Sequence, residues 1–206
     1  MILSTLVAAL TMAAPATQGD LVCIMMGSPT NAKSRAMEYA GSRFAFCCGG
    51  CDTAFAKNPT KAMKDANAKG QTFALGLFDP VSGMRVDASK SEFQTDAAGT
   101  RYSFQSKANR DAFLKDVKKY TTVPAKDSLT CPVTGEKLDA YSQAAGFVDY
   151  NGARYYACCA GCMPALKKDI KALLAKGKSV AATPKPVPAK DAMPMASEAG
   201  CCAPGG

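Results

Sequence analysis

The sequence predicts an α+β protein made of three copies of one small unit, each a short turn, a strand and a helix, followed by a disordered C-terminal tail. Three features carry that expectation. A phrase of the form Gly-x-Arg-aromatic recurs as GSRFAF from Gly41, GTRYSF from Gly99 and GARYYA from Gly152. A short turn precedes each phrase: CIMMG at Cys23, DPVSGM at Asp79 and CPVTGE at Cys131. Directly after the phrases, CCGGC, QSKAN and CCAGC fall in register. Self-similarity at a fixed period marks a chain assembled from one repeated supersecondary unit.

Residues 1–16 hold a short apolar run ending in Ala14-Pro15-Ala16, a small-x-small pattern that reads as a secretory signal peptide cut after Ala16. The units then occupy 21–70, 73–122 and 127–177. In each, aromatic positions alternate after the arginine, which suits a half-buried strand. The helix that follows shows an apolar face: Leu166, Ile170, Leu173 and Leu174 in unit three, and Phe113, Val117 and Tyr120 in unit two. In unit one Phe55 and Met63 flank a break at Asn58-Pro59, and Gly70 and Gly177 are helix stops. Residues 178–206, rich in Pro, Ala and Lys, read as the disordered tail with a terminal cysteine pair. A unit of about 50 residues has a marginal core, and a metal or disulfides commonly supplement it.

Of the 206 residues, 48% are hydrophobic and 20% charged, ordinary for a globular chain, and no apolar stretch is long enough for a membrane span. The formal charge is +8. The lysines are scattered rather than clustered among aromatics, so no nucleic-acid partner is expected. Eight thiolates around two divalent ions would bring the balance to about +4.

Ten cysteines and no histidine dominate the chemistry. Two quartets stand out, Cys23, Cys47, Cys48 and Cys51, and Cys131, Cys158, Cys159 and Cys162; unit two carries Asp79, Gln105, Ser106 and Asn109 at those places. The set is lost together while the Gly-x-Arg-aromatic scaffold stays, so each quartet acts as a set. Cys47 and Cys51 are four residues apart and Cys48 and Cys51 three, so they share one side of a helix's first turn. A helix start favours the thiolate, the metal-binding form. Two or three ligands there and one from a knuckle-like turn build a small tetrahedral site. All eight cysteines are therefore candidate ligands. Four thiolates suit Zn(II), while two or three soft sulfurs suit Cu(I). In the tail, Met193, Met195, Cys201 and Cys202 offer an auxiliary soft-ligand arm.

Two other readings of the thiols stay open. Export would permit disulfides such as Cys23–Cys51 and Cys131–Cys162, although adjacent cysteines bond to each other only with strain. Cys48-x-x-Cys51 and Cys159-x-x-Cys162 also spell a redox motif, without the βαβ unit in which it usually sits. No paired-carboxylate constellation or phosphate loop is present, so no enzyme is expected. Asp79 and Asp87 read as turn and surface residues.

The phrase DPVSGM…GTRYSF resembles the YHS domain, and the spacing Cys…Cys-x3-Cys of units one and three is similar to the related TRASH heavy-metal-binding domain. Cys23, Cys47 and Cys51 fit that pattern, as do Cys131, Cys158 and Cys162, and FAKNP at Phe55 to Pro59 fits its helix. Cys48 and Cys159 are additional to it. The resemblance implies a treble-clef-like fold, a β-hairpin followed by a helix, and a role in heavy-metal sensing, trafficking or resistance. The expected protein is exported, periplasmic or extracellular. It binds Zn(II) or Cu(I) through thiolates at two sites, and its partners are soft metal ions and a metal-transfer protein.

Overall fold

Each Gly-x-Arg-aromatic phrase becomes the second strand of a tight hairpin. In the computed structural model, residues 20–31 and 33–189 are described. Strand β1 (Arg35–Tyr39) pairs antiparallel with β2 (Ser42–Phe46), and helices α1 (Cys51–Lys57) and α2 (Pro59–Asn67) follow. After β3 (Ala74–Gly76) the same order returns, with β4 (Phe93–Ala97), β5 (Thr100–Phe104), α3 (Lys107–Lys115) and α4 (Val117–Thr121). It returns once more as β6 (Lys126–Ser128), β7 (Gly146–Tyr150), β8 (Ala153–Ala157), α5 (Cys162–Lys168) and α6 (Ile170–Ala175), before a two-residue strand β9 (Val187–Pro188). The hairpin turns are Ala40-Gly41, Ala98-Gly99 and Asn151-Gly152, with positive φ at both central residues. That is the two-residue turn whose twist matches paired strands, and it explains the invariant place of the glycine.

The arginine of each phrase reaches back across its own hairpin to a carboxylate. Arg43 pairs with Glu38, Arg101 with Asp96 and Arg154 with Asp149, each pair in register on adjacent strands. Glu38 and Arg43 are buried, and the second oxygen of Glu38 accepts from the Ser142 N–H at 2.8 Å, tying hairpin one to unit three.

The units are not separate beads. β3 pairs antiparallel with β2 and parallel with β5, so two hairpins join in a six-stranded sheet of order β4-β5-β3-β2-β1-β9. The third hairpin forms a three-stranded sheet of order β6-β8-β7. Units two and three meet at the knuckle of unit two, where Phe147 N–H donates to the Gly83 carbonyl and Arg85 N–H to the Ala145 carbonyl. A Cβ on Gly83 would stand 2.5 Å from the Phe147 carbonyl oxygen, so only glycine fits this contact. Leu77, Phe78, Tyr141, Phe147 and Tyr156 fill the core between those units.

Two expectations are corrected. The helix of every unit, not only that of unit one, is broken into two pieces. Asn58, Asp116 and Asp169 adopt nearly the same non-helical conformation (φ −154°, −147° and −154°), and their side chains cap the second piece by accepting from Lys61, Lys119 and Ala172 N–H. Asp169→Ala is expected to cost about 1 kcal/mol, the usual value of such a cap. The denaturant midpoint would report it, whereas Lys171→Ala on the same exposed helix leaves that midpoint unchanged.

The second correction concerns the tail. Residues 178–189 belong to the fold. Ser179 Oγ lies 2.8 Å from both Ser128 Oγ and the Thr130 carbonyl, Ala182 exchanges backbone hydrogen bonds with Asp127, and β9 adds antiparallel to the edge of β1. Proline is at home on such an edge because it has no ladder donor to supply. Among the described residues no helix is long and apolar enough to cross a membrane.

Candidate metal centre

The turn that opens each unit is a narrow loop closed by the same two hydrogen bonds. In unit one Cys23 N–H donates to Ser28 O and Gly27 N–H to Cys23 O; in unit three Cys131 N–H donates to Glu136 O and Gly135 N–H to Cys131 O. Gly27 and Gly135 take positive φ (72° and 85°), which lets the chain reverse within four residues. The reversal leaves the sulfur of Cys23 or Cys131 surrounded by backbone N–H groups. Against the raising effect of burial, the N–H groups of Cys47, Met26 and Met25 hold the Cys23 thiol below its ordinary value. Cys131 is likewise lowered, to about 7, by N–H donors on Cys158, Thr134 and Val133 and by the Thr134 side chain.

The hairpin and helix carry the remaining thiols to that loop. Strand β2 ends at Phe46 and delivers Cys47, while α1 opens with Cys51; β8 and α5 deliver Cys158 and Cys162 in the same way. Sγ atoms of Cys23, Cys47 and Cys51 all lie within 4.8 Å of one another, and so do those of Cys131, Cys158 and Cys162. Phe44, Phe46 and Phe55 pack in one core cluster with Cys23 and Cys51, and Leu166 and Met163 do so with Cys131 and Cys162. Burial pushes the Cys47 and Cys158 thiols up to about 11, and Cys51 and Cys162 higher still, since each also faces neighbouring sulfurs. Each cluster thus offers one sulfur prepared as a thiolate and two that hold their protons until a cation replaces them.

The donor set fits a thiophilic ion. Zn–S bonds of 2.3 Å in a tetrahedron put the sulfurs about 3.8 Å apart, and Cys158 and Cys162 Sγ stand at 3.8 Å. Cys48 and Cys159, candidate ligands in the sequence, are not members of these clusters. Both are exposed; Cys48 lies 3.2 Å from the Cys51 sulfur and 3.8 Å from that of Cys47, and Cys159 lies 3.2 Å from the Cys162 sulfur. Met193, Met195, Cys201 and Cys202 fall outside the described residues. The eight described cysteines are free thiols.

Unit two shows what the same corner does without sulfur. Asp79 is buried, contrary to its reading as a surface residue, and it occupies the place of Cys23 and Cys131. One carboxylate oxygen accepts from Val81 and Ser82 N–H, the other from Gln105 N–H and Asn109 Nδ2. A single anion therefore joins the loop, the strand end and the helix start, the three parts that the triads join elsewhere. Asp87, by contrast, is an exposed turn residue, as expected.

Residues 77–123 match the YHS domain. The match falls on unit two, with Asp79 near its start, and covers less than a quarter of the chain. No curated protein and no solved structure shows significant similarity to the chain. A YHS domain and two thiol clusters able to hold a metal ion are thus present in one chain.

The carboxylates that partner each arginine escaped the sequence reading, although the spacing was visible: Glu38, Asp96 and Asp149 each stand five residues before it. So did the role of Asp79, whose signal was a glycine four residues on, as after Cys23 and Cys131.

Proposed function

We propose that the chain is an exported heavy-metal-binding protein whose first and third units each hold one soft ion, Zn(II) or Cu(I), for buffering, resistance or trafficking. Cys23, Cys47 and Cys51 hold one ion, and Cys131, Cys158 and Cys162 the other. Unit two is a treble-clef-like spacer of the same ancestry, closed by Asp79 instead of a metal, and no step of catalysis is assigned to it. The observation that carries this reading is the convergence, to within 4.8 Å in each of two units, of one sulfur from the opening turn with two from the strand end and helix start. Three thiolates bind thiophilic ions far better than hard ones, and the N–H groups around Cys23 and Cys131 offset part of the anionic charge.

Titration of the reduced, metal-free protein tests it. Wild type is expected to take up two ions of Zn(II) or Cu(I), Cys51→Ala and Cys162→Ala one each, and the double variant none. Failure of the wild type to take up either ion, or a capacity untouched by these substitutions, refutes the assignment.

A further inference from the structure

Cys48 and Cys159 stand beside the triads but belong to neither. We propose that Cys48–Cys51 and Cys159–Cys162 are redox-active dithiol pairs, and that their oxidation to disulfides ejects the ion from the adjoining triad. The inference rests on the metal reading above and adds a means of release to it.

Geometry separates these sulfurs from ligands. At 3.2 Å, the Cys48–Cys51 and Cys159–Cys162 contacts are shorter than the spacing of about 3.8 Å between thiolates sharing one tetrahedral ion. The same distance recurs in two units of different sequence. In each pair one thiol is exposed and the other buried in the triad, so a solution oxidant meets Cys48 before Cys51 and Cys159 before Cys162.

Unit two supplies a control for the position itself. There Ser106 caps helix α3 by accepting from Asn109 N–H, and the helix starts at Lys107. With Cys48 and Cys159 in its place, α1 and α5 begin two positions later in register, at Cys51 and Cys162, without a side-chain cap. A serine-type cap is worth about 1 kcal/mol, and a thiol gives it up. Helix stability therefore does not account for the sulfur.

The reaction balances with a low-molecular-weight disulfide as oxidant. The Cys48 sulfur attacks one sulfur of the oxidant, forming a mixed disulfide; the released thiolate takes the proton Cys48 carried. The Cys51 sulfur then attacks the Cys48 sulfur and expels the second thiolate, which takes a proton from water. Two protein thiols lose two electrons and the oxidant's S–S bond becomes two thiols. Cys51 is no longer a donor, two ligands remain, and the ion leaves. Reduction by a dithiol reverses the sequence.

The test loads reduced protein with Zn(II), which undergoes no redox change itself, and adds oxidised glutathione in the presence of a chromogenic zinc chelator. Mass spectrometry after acid quench and alkylation maps the bonds. The expected result is release of two ions with disulfides at Cys48–Cys51 and Cys159–Cys162. The Cys48→Ser/Cys159→Ser protein, which carries at these places the residue unit two already uses, takes up two ions and releases them at least about tenfold more slowly. Equal release rates, or oxidation that leaves Cys48 and Cys159 reduced, overturn the proposal. If the wild type took up no Zn(II), the metal reading itself would fall, whereas retained uptake with rates indifferent to the double substitution would overturn only the redox release.

Discussion

Asp79→Ala is expected to destabilise the protein by about 3–5 kcal/mol, the range found when one partner of a buried charged network is removed. The carboxylate is fully buried and gathers four donors, from Val81, Ser82, Gln105 and Asn109. Alanine leaves those donors facing one another across an empty space. The loss does not stay local, because Gly83 and Arg85 of the same knuckle hydrogen-bond to Phe147 and Ala145 of unit three. Asp79→Asn is expected to cost less. Its amide oxygen still serves one pair of donors, and the Asn109 amide can turn its own oxygen toward the new NH2 group. Equilibrium unfolding in urea decides the matter: a cost below about 1 kcal/mol for the alanine variant would mean that water or rearrangement replaces the carboxylate.

Metal should stabilise the reduced protein more than any single side chain does. Free Zn(II) at a thousandfold excess over Kd adds about 4 kcal/mol for one site, and about 8 kcal/mol if both sites are filled. The effect follows from position, since Cys23, Cys51, Cys131 and Cys162 are parts of the hydrophobic clusters rather than surface appendages. It should also vanish with acid. Cys47 and Cys158 titrate near 11 and Cys131 near 7, so at neutral pH an incoming ion displaces protons from most of its ligands. Each fall in pH makes that exchange harder, and the metal-dependent gain in Tm shrinks steadily below neutrality. Calorimetric scans with Zn(II) and with chelator, at pH 8 and at pH 5, would show a large separation at the first and little at the second. A separation independent of pH would be incompatible with thiolate ligation.

Local rules made the sulfur-bearing corner legible in the sequence. Alternating aromatics and the placing of Cys47 and Cys51 around a helix start act within a few residues, and a strand followed by a helix formed at all three Gly-x-Arg-aromatic phrases. What escaped was set by partners far along the chain. Nothing near Glu38 announces that Ser142 will donate to it, and nothing near Val187 that β1 has a free edge. Composition misled over residues 178–189, where proline and lysine suggested disorder but an edge strand tolerates both. The spacing of Cys48 left its role open. Only the three-dimensional arrangement shows that it meets Cys51 and Cys47 yet stands outside the cluster those two form with Cys23. Asp79 was discounted because an aspartate in a turn is usually solvated, and its burial depends on donors 26 and 30 residues away.

The direction of β9 sets what the first thiol cluster has beside it. Val187 lies opposite Glu38 and Pro188 opposite Met37, and Ala189 N–H donates to the Ala36 carbonyl. The backbone therefore leaves Ala189 heading toward Arg35, the end of the hairpin where Phe46 hands over to Cys47. The two thiol clusters, alike in their sulfurs, thus differ in their neighbourhood: among the described residues, only the hairpin of the first carries an added strand, β9, along its outer edge.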